Sequence, residues 1–219
     1  MVTVRFEMYC GDGSGADGLA MNLGANTLSG RVGEDGVAQG VAVCFDEWSN
    51  GGDHGVMIYY NGATVWQDIA TCSNRQGCLP VSIFEDEVWH DVEVNIMPSC
   101  DQGACSAFIS MDFDSGDYGG SGSVADYTLP DAVYLGFTGR TGGATNNHFV
   151  RSVFVRSVGL AGSTVPEVRF NSISVRFQFN FNSILIRFDR HICEQITDIT
   201  TNSVDGNGNC RTVRCQWHR

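Results

Sequence analysis

Apolar and polar residues alternate with a period of two through a series of short runs, at 2–9, 17–23, 37–46, 55–60, 81–84, 88–96, 105–113, 132–138 and 148–158. Successive side chains of an extended strand point to opposite faces, so each run predicts a strand with one face toward a core. Connectors rich in Gly or in Asp, Asn and Ser separate them, such as Gly11 to Gly15 and Asp114 to Ser123. No helix is predicted. Many short strands at such spacing predict an all-β chain folded as a jelly-roll sandwich.

The pattern changes near residue 161. Arginine becomes frequent, and F-N-S-I-S-V-R-F at 170–177 is echoed by F-N-S-I-L-I-R-F at 181–188. Two strands are expected there, possible partners in a hairpin about Asn182 and Ser183. One short echo reads as a local duplication, since a repeat architecture needs three or more units. The expected organisation is a sandwich over 1–160 and a β-rich, cysteine-containing extension over 161–219.

Composition narrows the partners. The 219 residues carry a formal charge of −12, and all thirteen basic residues are arginine. That balance argues against nucleic acid and anionic membranes as partners, and no stretch approaches the ~20 apolar residues of a membrane span. Nine cysteines, several closely spaced, suggest disulfides and an oxidising compartment. Cys72–Cys78 and Cys100–Cys105 are expected to close short loops, with Cys210–Cys215 a third pair of similar spacing. The chain opens directly in an alternating run, without the basic start and apolar core of a secretory signal. Secretion, cell-surface display or residence in the secretory lumen is therefore inferred from the cysteines.

Three segments carry candidate chemistry. In V-A-V-C-F-D-E-W-S-N (41–50), alternation sends Val41, Val43 and Phe45 to the core and Ala42, Cys44, Asp46 and Trp48 to the other face. Asp46, the Trp48 carbonyl, Asn50 and Asp53 offer four oxygen donors, the hard set that Ca²⁺ prefers. In G-A-D-G-L-A (15–20), Asp17 sits in a glycine-flanked turn where its carboxylate can accept hydrogen bonds from adjacent sugar hydroxyls. In G-F-T-G-R-T-G-G-A-T-N-N-H-F-V (136–150), Gly142 and Gly143 allow close approach of the main chain to a ligand. Thr141, Thr145, Asn146 and Asn147 add neutral hydrogen-bonding groups suited to an uncharged polyol.

Taken in order, these segments resemble the L-type (legume-like) lectins, which share the concanavalin-like jelly roll. The resemblance covers about residues 2–158. It implies Ca²⁺ held by Asp46, the Trp48 carbonyl, Asn50 and Asp53. It implies a sugar contacted by Asp17, Asn50 and the backbone of Gly142, Gly143 and Ala144, with Asn61 added by the animal branch. Glycans or glycoproteins would be the partners, and no catalysis is implied. The chain departs from the plant members at Cys44, where they carry a Glu that binds a transition metal. A thiol does not replace a hard carboxylate for Mn²⁺, so a second metal at His54 is not expected. The family's strand preceding the first segment is missing, so either the chain starts downstream of it or residues 161–219 supply a substitute.

Two other readings stay open. The same sandwich hosts glycoside hydrolases, which flank the scissile bond with two carboxylates. The candidates are the acids in F-E-D-E-V-W-H-D-V-E-V (84–94) and Asp46 with Glu47; Glu85 and Glu87 share a face, but Asp86 opposes them, on the face that Val88, Val92 and Val94 continue. An adhesion or structural module without sugar binding is the third reading.

Overall fold

A computed structural model describes residues 1–24, 33–48, 54–69, 81–101, 104–128, 132–141 and 144–157, apart from the side chains of 132, 133 and 157. Beyond these it describes the backbone of the strands at 168–169, 175–177, 182–189, 199–204 and 210–214. The strands are β1 (Val2–Gly11), β2 (Gly18–Gly24), β3 (Val41–Asp46), β4 (Gly55–Tyr60), β5 (Ala63–Ile69), β6 (Trp89–Asp101), β7 (Ala104–Phe113) and β8 (Tyr118–Val124). They continue with β9 (Ala132–Arg140), β10 (Asn147–Ser157), β11 (Val168–Arg169), β12 (Val175–Phe177), β13 (Asn182–Asp189), β14 (Ile199–Val204) and β15 (Cys210–Arg214). One helical turn, α1, spans Val81–Phe84 where alternation predicted a strand.

Two antiparallel sheets form the sandwich. One has the order β11-β10-β1-β6-β7-β8, with β12 also on β10; the other has the order β15-β14-β13-β9-β2-β3-β4-β5. The echo does not make a hairpin: β12 lies along β10 in the first sheet and β13 along β9 in the second. Strands from the segment after residue 161 therefore join both sheets.

Alternation predicts the inner faces correctly. Val4, Phe6 and Met8 from β1, Val94 and Ile96 from β6, and Val41, Val43 and Phe45 from β3 belong to one buried cluster between the sheets. Phe6 meets Phe137 edge-on at 4.9 Å, and Phe45 meets Phe84 of α1 at 5.5 Å, which explains why that short turn is buried against β3. The other face of β3 is buried too. Ala42 and Cys44 pack with Ala20, Met57 and Val37 in a second apolar cluster, so Cys44 is a core residue on an apolar sheet face.

Within residues 1–160 two strands escape the alternation. β5 is an edge strand with no fully buried residue, and β8, Y-G-G-S-G-S-V, lies in the segment expected to be a connector. Its glycines are required by packing. A Cβ on Gly120 would lie 2.2 Å from the Trp66 ring and one on Gly122 2.5 Å from the Val65 carbonyl, so only hydrogen fits beneath β5.

Cys100 and Cys105 are cross-strand partners joining β6 to β7, and they form the expected disulfide. Cys72 and Cys78 lie outside the described residues, as do the side chains of Cys210 and Cys215.

Candidate functional site

The candidate site is assembled where β9, β2 and β3 run side by side. Gly18, at the start of β2, pairs with Asp46 at the end of β3 and with Arg140 at the end of β9. Its φ is +142°, and a Cβ there would lie 2.2 Å from the Phe45 carbonyl and 3.0 Å from the Asp46 backbone, so a glycine is required. Just before it, the cis Ala16–Asp17 bond leads into Asp17. The Asp17 N–H donates to the Arg140 carbonyl at 2.9 Å, and its own carbonyl accepts the Glu47 N–H at 2.9 Å. The acid turn is thereby fixed to both neighbouring strands by main-chain bonds.

Side chains add a second layer. Arg140 Nε donates to Asp17 Oδ2 at 3.0 Å, and its Nη2 lies 3.4 Å from Glu34 Oε1. Asp17, Glu34 and Asp46 are all buried, and Arg140 faces the first two. Asp46 Oδ1 accepts the Trp48 N–H at 2.9 Å. Burial pushes the Asp46 carboxyl up to about 8; the Trp48 bond opposes this, and the carboxylates of Glu34, Asp35 and Asp17 reinforce it. Several carboxylates thus share a poorly solvated corner with the Arg140 guanidinium. A hard divalent cation fits the oxygen donors of that corner, since it would offset the burial and the carboxylate repulsion that raise Asp46.

The third segment arrives from the loop before β10. Thr145 N–H donates to Ser14 Oγ at 3.0 Å, and the Ser14 N–H donates back to the Thr145 carbonyl at 2.7 Å. Gly13 makes this approach possible, because a Cβ there would fall 2.0 Å from the Thr145 carbonyl. Asn146 Nδ2 donates to Glu47 Oε2 at 2.8 Å, tying the loop to the residue between Asp46 and Trp48. Ala144, half-buried, stands at the head of this tied stretch.

Asp17, Asp46, Trp48 and Ala144 therefore lie on segments joined to one another, although the sequence separates them by up to 127 positions (144 − 17). Asn50, Asp53, Gly142 and Gly143 lie outside the described residues. Asn61 is placed elsewhere. It forms the β4–β5 turn, with its Oδ1 accepting the Gly40 N–H at 2.8 Å. Its neighbour Tyr60 pairs with Val41, at the opposite end of β3 from Asp46 and about 17 Å along the strand.

Sequence reasoning missed Arg140 and Glu34 as parts of the site and named Glu47 only beside Asp46 as a candidate hydrolase pair. Arg140 lay inside a glycine-rich stretch read for its backbone, and Glu34 has no strand periodicity around it. Glu47 had a signal: it shares parity with Val43 and Phe45, so an acid was being sent toward the core. Glu85, Asp86 and Glu87 do not form a pair of acids across a cleft. Asp86 is bound to His90 Nε2 at 2.8 Å, and Glu85 Oε1 reaches Asn146 at 3.5 Å.

Fold and corner together define a β-sandwich whose three candidate segments meet at one end of three adjacent strands. A model of the legume-like lectin family matches residues 1–163, and the chain belongs to that family. Membership points to carbohydrate binding and, in general, to a non-enzymatic role. Comparison with curated proteins and with solved structures finds no match.

Proposed function

We propose that this chain is a Ca²⁺-dependent, non-catalytic glycan-binding domain whose site is the corner formed by Asp17, Asp46 and the loop ending at Asn146. The observation that carries this is the convergence of the three segments, tied by the Asp17–Arg140, Glu47–Asp17, Ser14–Thr145 and Asn146–Glu47 hydrogen bonds. Asp46, the Trp48 carbonyl, Asn50 and Asp53 would hold the ion. Bound there, Ca²⁺ supplies charge compensation for the carboxylates and rigidity for the loops carrying Asn50 and Asp17. Asp17 offers the sugar its Oδ1, since Oδ2 already accepts from Arg140. Asn50 and the main chain at Gly142, Gly143 and Ala144 would complete the contacts with a neutral polyol.

Residues 1–160 are proposed as the binding unit, with 161–219 as an extension lending strands to both sheets. A secretory-pathway, surface or secreted setting is supported by the family and by the Cys100–Cys105 disulfide. Among the described residues no helix is long and apolar enough to cross a membrane.

A glycan array probed with Ca²⁺ and again with chelator tests this reading. Selective glycan signals that disappear with chelator are expected. Signals unaffected by chelator would remove the ion from the mechanism, and an array without signal would favour a structural module. Release of reducing sugar from polysaccharide would favour the hydrolase alternative.

A further inference from the structure

Behind the Asp46 corner, at one end of the core, three buried side chains of different chemistry face one another. Cys10 of β1 and His148 of β10 are direct cross-strand partners, and Glu47 reaches them from the opposite sheet, just beyond β3. All three have 0% exposure. One ligand atom from each, the Cys10 Sγ, a Glu47 carboxylate oxygen and a His148 ring nitrogen, lies within 4.8 Å of both others. Glu47 Oε1 is 3.0 Å from His148 Nε2, and the Cys10 thiol is hydrogen-bonded to Glu47. His148 Nδ1 makes no hydrogen bond.

We propose that Cys10, Glu47 and His148 form a binding site for one Zn²⁺ ion, separate from the oxygen-donor corner at Asp46. Thiolate, imidazole and carboxylate are the three ligand types that zinc takes. Bonds of about 2.0–2.3 Å to a tetrahedral ion place ligand atoms roughly 3.3–3.7 Å apart. The 3.0 Å contact must open and the wider ones close, each by no more than about an ångström. Charge favours the same ion. One thiolate, one carboxylate and one neutral imidazole cancel a divalent charge, which a fully buried position requires. A soft sulfur ligand disfavours Ca²⁺ and Mg²⁺, so the two sites would not compete for one metal.

The proton balance is simple. The Cys10 thiol releases its proton to solvent and Glu47 stays anionic. Neutral His148 binds through Nε2 with its one ring proton on Nδ1, a position no other group contests. The ion would join β1 and β10 of one sheet to the end of β3 in the other, fixing Glu47 from behind. The assignment also gives a role to a thiol that is free in the structure.

The test uses the full chain produced in medium containing Zn²⁺ or Co²⁺, because buried ligands are loaded during folding. After dialysis against excess Ca²⁺, about one equivalent of zinc is expected to remain, and the cobalt form should show a thiolate-to-cobalt charge-transfer band. Cys10→Ser is expected to lose that band and at least tenfold in zinc affinity, and His148→Gln to lose affinity likewise. Cys44→Ser should retain both. A parent protein that holds no zinc and shows no cobalt band overturns the proposal even if a variant fails to fold. So does a band that survives in folded Cys10→Ser. Neither result depends on glycan binding, so failure here leaves the sugar site untouched, and the reverse.

Discussion

Arg140 and Asp17 are joined twice, by the guanidinium Nε donating to Asp17 Oδ2 at 3.0 Å and by the Asp17 N–H donating to the Arg140 carbonyl at 2.9 Å. The main-chain bond fixes where the acid stands, and the side-chain bond fixes which of its oxygens is already engaged. Asp17→Asn keeps the first and weakens the second, and it replaces an anionic acceptor for a sugar hydroxyl by a neutral amide. Glycan affinity is expected to fall by roughly ten- to a hundredfold, about 1.5–3 kcal/mol. The melting temperature should fall far less, since Asn has the same size, keeps the main-chain bond to Arg140 and can still accept from the guanidinium through its amide oxygen. Calorimetric titration of a glycan found on the array checks this; parent-like affinity would take Asp17 out of the site.

Burial, with the carboxylates of Glu34, Asp35 and Asp17 nearby, disfavours the charge on Asp46, so its loss should be read through the metal. In the parent, Ca²⁺ at a hundred times its dissociation constant is expected to add about 2.7 kcal/mol of stability. In Asp46→Ala that increment should vanish while the metal-free fold persists. Thermal melts with and without Ca²⁺ measure both quantities, and an undiminished Ca²⁺ effect in the variant would move the ion elsewhere.

His90 provides a pH-dependent contribution away from the site. Its ring stacks on Phe113 at 4.7 Å, with Nδ1 on Asp114 at 2.6 Å and Nε2 on Asp86 at 2.8 Å. Burial alone would lower its pKa, but the bonds from Asp114 and Asp86 outweigh that and raise it above 6.5. The folded state therefore binds the proton more tightly than the unfolded one. The stabilisation is complete below about pH 6.5 and is lost as pH rises through the higher folded value. Denaturant midpoints from pH 6 to 9 should fall more steeply for the parent than for His90→Gln, and an NMR titration of His90 should give a pKa above 6.5. Parallel profiles would show that the two acids do not hold the charged ring.

Gly120 tests the packing of β8 beneath β5. Gly120→Ala places a methyl group 2.2 Å from a Trp66 ring atom, so the ring must move, at a cost of about 1–3 kcal/mol. Trp66→Ala removes the obstacle. In the double variant the glycine substitution should cost much less, and strict additivity of the two losses would refute the contact as its cause.

Much of the fold was legible because a half-buried strand writes its two faces into the sequence with a period of two. Val41, Val43 and Phe45 were assigned inward on that ground, and they pack there. β8 was not legible. Its small residues answer to Trp66 and Val65, which are more than fifty positions away, and without that neighbour a glycine-rich run reads as a loop.

By itself the sequence determined the all-β architecture, the Cys100–Cys105 pair and the three segments that carry the family resemblance, because each is encoded in local spacing or residue type. Only the tertiary structure decided what those segments touch. Arg140 meets Asp17, Asn146 meets Glu47, and Cys10 and His148 meet Glu47 across the sandwich, all through register between strands far apart in the chain. It also separated Asn61 from the group, since a residue's place along β3 and β4 follows from their pairing and not from its own turn motif. Such long-range pairings are selected by the burial of the whole core and by satisfying its polar groups together, and no short window of sequence contains that information.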